Sequence, residues 1–176
     1  MLKPDKWIIK MAEENGMIEP FIRENVKFVN KRNVFSYGLQ PYGYDLRLNK
    51  KFLLPMESVT KVLDIKAKKE DVFEEIEDNN PIILPHSYII GYSIEKVKMP
   101  KGITGLIWGK SSLASMGIAV NATSVDAGFV GVLRLCIVNF NDSAVRLYAG
   151  EGIAQILFFK GDGLPLKDYK EKGGMY

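Results

Sequence analysis

Apolar and polar residues follow two different periods along this chain. Near the N-terminus, Ile8 and Met11 belong to a set of apolar residues that recur at the three- and four-residue spacing of a helix. Asp5 stands where a helix cap is expected, and Gly16 follows as a residue type that ends helices. The pattern therefore predicts an amphipathic helix over about residues 5–15.

From about residue 20 onward the pattern changes to short apolar runs separated by Gly, Pro, Asn and Asp. The runs are YDLRL, FLLP, PIILP, YIIGYSI, GITGLIW, VLRLCIVNF and IAQILFF. Many short strands at close spacing, bounded by turn residues, are typical of an all-β roll or barrel. The charged segment from Asp64 to Asn80 has neither period, so we expect a surface excursion with room for one short helical turn.

Length and composition indicate one ordinary globular domain over residues 1–176. Hydrophobic residues make up 47% of the chain and charged residues 26%, a mixture found in proteins that bury a single core. The only cysteine is Cys136, which excludes an internal disulfide and a cysteine-based zinc cluster. Apolar and charged residues alternate near the N-terminus, whereas a signal peptide or membrane span requires a continuous apolar stretch. We therefore expect a cytoplasmic protein that binds no membrane.

The distribution of charge bears on the choice of ligand. The formal net charge is +3, and the 24 Lys and Arg residues are spread along the chain without a dense basic block. A nucleic-acid-binding protein usually carries a basic stripe or a known binding module, and neither is present in the sequence. We therefore expect a small anionic ligand and no nucleic acid partner.

The segment GKSS places several phosphate-binding groups side by side. Lys110 supplies a cation, Ser111 and Ser112 supply hydroxyl groups, and the main chain supplies amide donors, which together suit a triphosphate. It is not a Walker loop, because the spaced first glycine and the following long helix are missing. The segment taken alone fits an ordinary polar turn equally well.

A second candidate is Asp126, which lies in the segment VDAGF. Its small neighbours leave room for the carboxylate to reach a cavity, where it can act as a general base toward water. Taken alone, the residue also fits an aspartate that caps its own turn.

Four segments in order along the chain carry a family resemblance. They are SYGLQPYGYDLRL, GKSSLASMG, VDAGFVG and GEGIAQILFF, and they resemble the successive motifs of the dCTP deaminase and dUTPase superfamily. The opening WIIKMAEENGMIEPF also resembles the start of a dCTP deaminase, so the resemblance spans nearly the whole chain. It implies a distorted, dUTPase-like β-roll of the β-clip type, a homotrimer with active sites between subunits, and Mg²⁺ bound with a pyrimidine deoxynucleoside triphosphate.

The same resemblance implies roles for individual residues. Lys110, Ser111 and Ser112 would hold phosphates, with Lys110 standing where many members have an arginine. Leu135 and its neighbours would offer main-chain contacts beside the base and sugar. The full set of implied nucleotide contacts is Lys110, Ser111, Ser112, Ser115, Arg134, Leu135, Cys136, Gln155 and Tyr169.

Two departures from the deaminase pattern shape the predicted reaction. Deaminases of this family carry a proton-shuttling glutamate where this chain has Cys136, and an arginine where it has Ser115. A thiol has one proton site and an unperturbed pKa of about 8.5, so it is a poor substitute. We therefore predict a dUTP diphosphatase in which Asp126 orients the water that attacks the α-phosphate. The alternatives are a dCTP deaminase and a nucleotide-binding paralogue without catalysis.

The metal and the C-terminus complete the predictions. No protein cluster suits a tight metal cage, so Mg²⁺ is expected to arrive with the substrate phosphates and its own water molecules. Residues 165–176 resemble the segment that folds over the nucleotide in this family, with Gly173 and Gly174 as a hinge. A frayed terminus is the alternative.

Overall fold

The fold is a curled, mostly β structure. The computed structural model describes residues 1–56, 66, 68 and 72–173. Within them the chain forms two helices, α1 (Asp5–Asn15) and α2 (Ser111–Ala114), and twelve strands. The strands are β1 (Ile18–Glu19), β2 (Asn25–Val29), β3 (Arg32–Gln40), β4 (Gly43–Pro55), β5 (Phe73–Glu77), β6 (Ile82–Ile83), β7 (Tyr88–Lys98), β8 (Ile103–Gly109), β9 (Ile118–Asn121), β10 (Val130–Asn139), β11 (Val145–Arg146) and β12 (Gly152–Lys160). The predicted all-β roll with an N-terminal helix is confirmed.

The long strand β4 connects the two layers of the roll. Its first part, residues 43–47, lies between β3 and β12, and β12 pairs in turn with β8. Its second part, residues 48–55, pairs with β5 and β7, and β7 continues through β10 to β9. A single strand that belongs to both layers makes the sheet curl over one core, as sheets do when they approach closure.

Alternating burial along the strands builds the core. On β10, Leu133, Leu135 and Ile137 point inward, while Arg134 is exposed and Cys136 is half-buried. The period of two follows from the pleat of a strand, which sends successive side chains to opposite faces. The most deeply buried large side chains of the core are Tyr44, Phe52, Phe158, Ile8, Met17, Ile18, Leu46, Leu48, Ile83, Leu135, Ile137 and Ile156.

Helix α1 packs on this core through Ile8, which is fully buried. Asp5 does not cap the helix as predicted: Pro4 occupies the cap position, and the Asp5 carboxylate accepts a hydrogen bond from the adjacent Lys6 N–H at 2.7 Å. Gly16 ends the helix as expected, in the left-handed conformation that suits glycine. Neither described helix is long and apolar enough to cross a membrane.

One strand lies where the sequence predicted only an excursion. Strand β5 pairs with residues Lys51–Pro55 of β4. It was missed because its three glutamates interrupt the apolar alternation, and an edge strand tolerates such residues. The described residues between Asp64 and Asn80 contain no helical turn, and residues 64, 65, 67 and 69–71 lie outside the described part of the chain.

Candidate active site

Lys110 lies at the junction of β8 and α2, where it meets a buried carboxylate. Its backbone is still extended, and the single turn of α2 begins at the next residue. The Lys110 ammonium forms an ion pair with the carboxylate of Asp45 on β4 and donates a hydrogen bond to Ser36 Oγ at 3.1 Å. Only 9% of the Lys110 side chain and 6% of the Asp45 side chain are exposed, so the ion pair is largely shielded from solvent.

Gln155 completes this group. The register of β12 against β4 places Gln155 opposite Asp45, and its side chain hydrogen-bonds to the Asp45 carboxylate. Burial raises the pKa of Asp45, and the hydrogen bonds from Lys110, Gln155 and Ser36 oppose that rise. We call Ser36, Asp45, Lys110 and Gln155 the Asp45 cluster. It joins β3, β4, β12 and the start of α2.

The two serines of the GKSS segment lie beside this cluster but face solvent. Ser111 and Ser112 are exposed in the first turn of α2. Ser115 is also exposed, at the end of α2, and its hydroxyl group donates to the carbonyl oxygen of Ser111 at 2.9 Å. The exposed hydroxyl groups are therefore open to a ligand, whereas the Lys110 charge is already paired with Asp45.

A separate pocket of about 260 Å³ contains Asp126. Arg134 from β10 and Tyr169 from the C-terminal segment also line it. We call it the Asp126 pocket. Its complete lining is Ile107, Thr123, Ser124, Val125, Asp126, Phe129, Leu133, Arg134 and Tyr169.

A tight turn leaves the Asp126 carboxylate at the pocket. The main-chain carbonyl of Asp126 accepts the Phe129 N–H at 3.1 Å, and Gly128 has a φ of +82° within that turn. The main chain thus closes the turn, and within the described chain no hydrogen bond reaches the Asp126 side chain. The alternative in which this carboxylate caps its own turn is not what the structure shows.

Tyr169 reaches the same pocket from a distant part of the sequence. Its N–H donates to the Ala127 carbonyl oxygen at 2.8 Å, and its ring meets the Phe129 ring edge-on with centroids 5.4 Å apart. The C-terminal segment is therefore docked on the chain at Tyr169. The predicted hinge is described only as far as Gly173, and Gly174 lies outside the described residues.

Strand β10 presents the remaining candidates. The Leu135 side chain is fully buried, so only its main chain is available for ligand contacts. Cys136 lies on the same face of β10 as Arg134, between Ile90 of β7 and Asn121 of β9. Burial raises the pKa of the Cys136 thiol, which keeps the group protonated at neutral pH.

The predicted site residues thus fall into two groups. Gln155 and Lys110 belong to the Asp45 cluster, while Asp126, Arg134 and Tyr169 line the other pocket. Sequence reasoning did not assign Ser36 and Asp45, although both lie in the motif SYGLQPYGYDLRL. A lone carboxylate between apolar residues of a strand is the signal that indicates such a buried partner.

Comparison with known proteins identifies the family. The family model described as dCTP deaminase-like matches residues 2–161. The chain belongs to this family. A dCTP deaminase from Chromohalobacter salexigens is 37% identical over 175 residues, covering 99% of this chain and 93% of that protein. One from Chlamydia felis is 38% identical over 177 residues, with the same two coverages.

Solved structures support the fold. A 2'-deoxycytidine 5'-triphosphate deaminase from Agrobacterium tumefaciens superposes with a TM-score of 0.66 and 17% identity. The match covers 91% of this chain and 48% of that chain, so this chain spans about half of it. The dUTPase of Staphylococcus bacteriophage 80alpha gives a TM-score of 0.50 and 18% identity, covering 81% of this chain and 83% of the dUTPase. The chain therefore has the fold shared by both kinds of enzyme.

The prediction of a dUTP diphosphatase is wrong. The curated relatives that match nearly the full chain at 37–38% identity are dCTP deaminases, which was the alternative. The error came from weighing one replaced side chain, Cys136, above a resemblance that runs the length of the chain. The role predicted for Asp126, orienting a water toward the α-phosphate, stays a prediction. The family nevertheless consists of enzymes that act on pyrimidine nucleotides.

Proposed function

We propose that this chain binds dCTP and catalyses its hydrolytic deamination, in which dCTP and water give dUTP and ammonia. The observation that carries the proposal is the 37–38% identity to dCTP deaminases over 99% of the chain. The two groups of candidate residues supply what such a ligand needs: exposed hydroxyl groups for phosphates, and a polar pocket for the nucleoside.

The triphosphate is assigned to the side of the molecule that carries the Asp45 cluster. The exposed hydroxyl groups of Ser111 and Ser112 can donate to phosphate oxygens there, and the buried Lys110–Asp45 pair fixes the start of the turn that carries them. The described residues contain no group of three His, Cys, Asp or Glu side chains that could hold a metal ion. A Mg²⁺ ion would therefore be held by the phosphates and water, and would neutralise part of their charge.

The deoxycytidine part is assigned to the Asp126 pocket. The Asp126 carboxylate has no hydrogen-bond partner among the described residues and can accept one from a ligand, and Tyr169 offers a ring and a hydroxyl group. The main chain of β10 around Leu135 lies along the same strand as Arg134, which lines the pocket. The volume of about 260 Å³ lies just below the usual range of ligand sites, which suits a part of the nucleotide within one chain.

A homotrimer would explain why the two groups lie apart. In cyclic oligomers the same two surfaces of each subunit meet at every interface. The Asp45 cluster of one subunit and the Asp126 pocket of its neighbour would then form one site. This arrangement is supported by the lining of the Asp126 pocket, which includes no member of the Asp45 cluster.

The proton-transfer step is where this chain departs from an efficient deaminase. Water must lose a proton as it attacks C4 of cytosine, and the leaving amino group must gain one. Cys136 stands on the strand face next to Arg134, where the family resemblance places a glutamate. Because its thiol stays protonated and offers one proton site, we expect slow turnover.

That same observation favours a second candidate function. A chain that keeps its phosphate and nucleoside contacts but lacks an efficient proton shuttle would bind dCTP or dUTP without turnover. Such a protein would act by holding the nucleotide.

The test is incubation of the purified protein with dCTP and Mg²⁺, followed by chromatography for uracil nucleotides. We expect slow formation of dUTP, and Cys136→Glu should accelerate it about 100-fold, the usual scale of general acid–base catalysis. Cys136→Gln is the matched control, because it has similar size without an acid, and should give no gain. Ser115 remains unchanged in all variants.

Three results would separate the candidates. Formation of dUTP by the parent chain supports the deaminase. Tight dCTP binding in calorimetry with no uracil product, in the parent and in Cys136→Glu, supports the non-catalytic candidate. Failure to bind dCTP and dUTP would overturn both.

A further inference from the structure

We propose that Lys101, Asp168 and Glu171 act together as positioning residues that hold Tyr169 in the Asp126 pocket. The inference rests on the proposed function, because it names residues outside the pocket lining that position Tyr169 for the nucleoside. None of the three side chains lines the Asp126 pocket.

The first observation is a reciprocal pair of hydrogen bonds around Tyr169. The Asp168 N–H donates to Glu171 Oε2 at 2.9 Å, and the Glu171 N–H donates to Asp168 Oδ1 at 2.9 Å. Each carboxylate therefore satisfies the main-chain donor of the other residue, in the manner of a capping box. The turn that contains Tyr169 is closed by charged side chains on both sides.

The second observation is that Lys101 ties this turn to the rest of the fold. Its ammonium lies 3.2 Å from Asp168 Oδ2 and 3.4 Å from Glu171 Oε1. The hydrogen bond from the Glu171 N–H, followed by the Lys101 ammonium, holds the pKa of Asp168 below its usual range. One lysine thus bridges both carboxylates.

The third observation is that Lys101 follows a segment bound directly to the Asp126 turn. Met99, two residues earlier, donates its N–H to the Phe129 carbonyl oxygen at 2.8 Å and accepts the Gly128 N–H at 3.2 Å. A Cβ atom on Gly128 would lie 2.8 Å from Asp168 Cβ, so the turn and the C-terminal segment fit closely only with glycine there. The connection between β7 and β8, the Asp126 turn and the C-terminal segment therefore form one contact unit.

Lys101, Asp168 and Glu171 together determine the position of Tyr169. Asp168 is 7% exposed and fixes the main chain immediately before Tyr169, while the Ala127 carbonyl oxygen accepts the Tyr169 N–H. Lys101 is 65% exposed, so its ion pairs lie at the surface and are screened by salt. These ion pairs are consequently suited to setting the position of one segment, and they contribute little to the stability of the core.

The experiment compares Lys101→Met with Lys160→Met. Lys160 lines the same surface groove as Lys101, but its side chain has no ion pair within the described residues, which makes it a matched control. We expect Lys101→Met to increase hydrogen exchange of the Tyr169 amide about fivefold, the scale of weak surface ion pairs, without changing the thermal midpoint. The KM for dCTP should rise by a similar factor while kcat changes less than about twofold.

Two further variants make the assignment specific. Asp168→Asn keeps an acceptor for the Glu171 N–H but removes the charge, and it should behave as Lys101→Met does. Lys101→Arg keeps the charge and should restore the parent values. Raising the salt concentration should shrink the KM difference between the parent and Lys101→Met, because screening removes the ion pairs that distinguish them.

Unchanged amide exchange in Lys101→Met would overturn the proposal, and so would faster exchange with an unchanged KM, which would show a purely structural contact. If the parent chain forms no dUTP, the dissociation constant for dCTP replaces KM as the second measurement. A parent chain that neither binds nor converts dCTP would refute the proposed function, while the amide exchange would still report whether the three residues hold Tyr169.

Discussion

The Asp45 cluster and the Asp126 pocket differ in how far their charged groups are paired before any ligand binds. In the cluster, Lys110 and Asp45 are almost fully buried and hydrogen-bonded to Ser36 and Gln155. In the pocket, the Asp126 side chain is exposed, and the C-terminal segment that carries Tyr169 is held by surface ion pairs.

This difference indicates two kinds of binding surface. Removing one partner of a buried ion pair strongly destabilises the folded protein, so the fold depends on the complete Asp45 cluster. An exposed carboxylate beside a docked segment can change partners at little cost to stability. Affinity for the triphosphate should therefore be coupled to folding, whereas recognition of the nucleoside should vary independently of it.

The largest effect is expected for Asp45→Ala. It leaves the Lys110 ammonium buried without a counter-charge, which should lower the free energy of unfolding by about 3–5 kcal/mol. Urea denaturation measures this change. Adding Lys110→Met to the same chain should recover part of the loss. A loss below about 1 kcal/mol would show that the pair behaves as a surface ion pair and would remove the contrast between the two regions.

A smaller effect is expected for Asp126→Asn. Because this side chain is exposed, the free energy of unfolding should change by less than about 0.5 kcal/mol. The dissociation constant for dCTP, measured by calorimetry, should rise about tenfold, as expected for the loss of one charged hydrogen-bond acceptor. An unchanged dissociation constant would place the nucleoside outside the Asp126 pocket.

The smallest expected change, a partial recovery of activity, tests whether the two regions meet between subunits. Ser112→Glu adds negative charge beside the phosphates, and Asp126→Arg fills the pocket, so each variant alone should be inactive. Because both side chains are exposed, neither should affect folding. Mixed and reassembled subunits should regain about a quarter of the dCTP turnover, since one in four sites then combines two intact halves. No recovery would place both halves within one chain.

The sequence predicted the local features of the site better than its long-range ones. On β10 the alternation of side chains separates the buried Leu135 from Arg134 and Cys136. The family resemblance named Asp126 and Tyr169 as site residues but did not place them in one pocket. The pairing of Lys110 with Asp45 could not be predicted, because it depends on how β4 packs against the end of β8. The same holds for Lys101 and Asp168, whose contact joins segments far apart in the chain.

The predicted reaction shows a different limit. The chemistry of Cys136 was a sound reason to expect a slow proton transfer, but it does not determine which ligand the rest of the chain has kept. Similarity over 99% of the chain to dCTP deaminases outweighs one position. The replaced side chain bears on the rate of the proposed reaction, and the fold and its motifs bear on the substrate class.

The placement of β12 has a consequence for how the chain folds. This strand lies between β4 and β8, and its pairing with β4 joins residues separated by more than half the length of the chain. Contacts of such high sequence separation form late, because closing a long loop costs entropy before any pairing offsets it. Until β12 pairs with them, β4 and β8 each have an unpaired edge, and a partly folded chain is therefore more prone to mispairing than the native one.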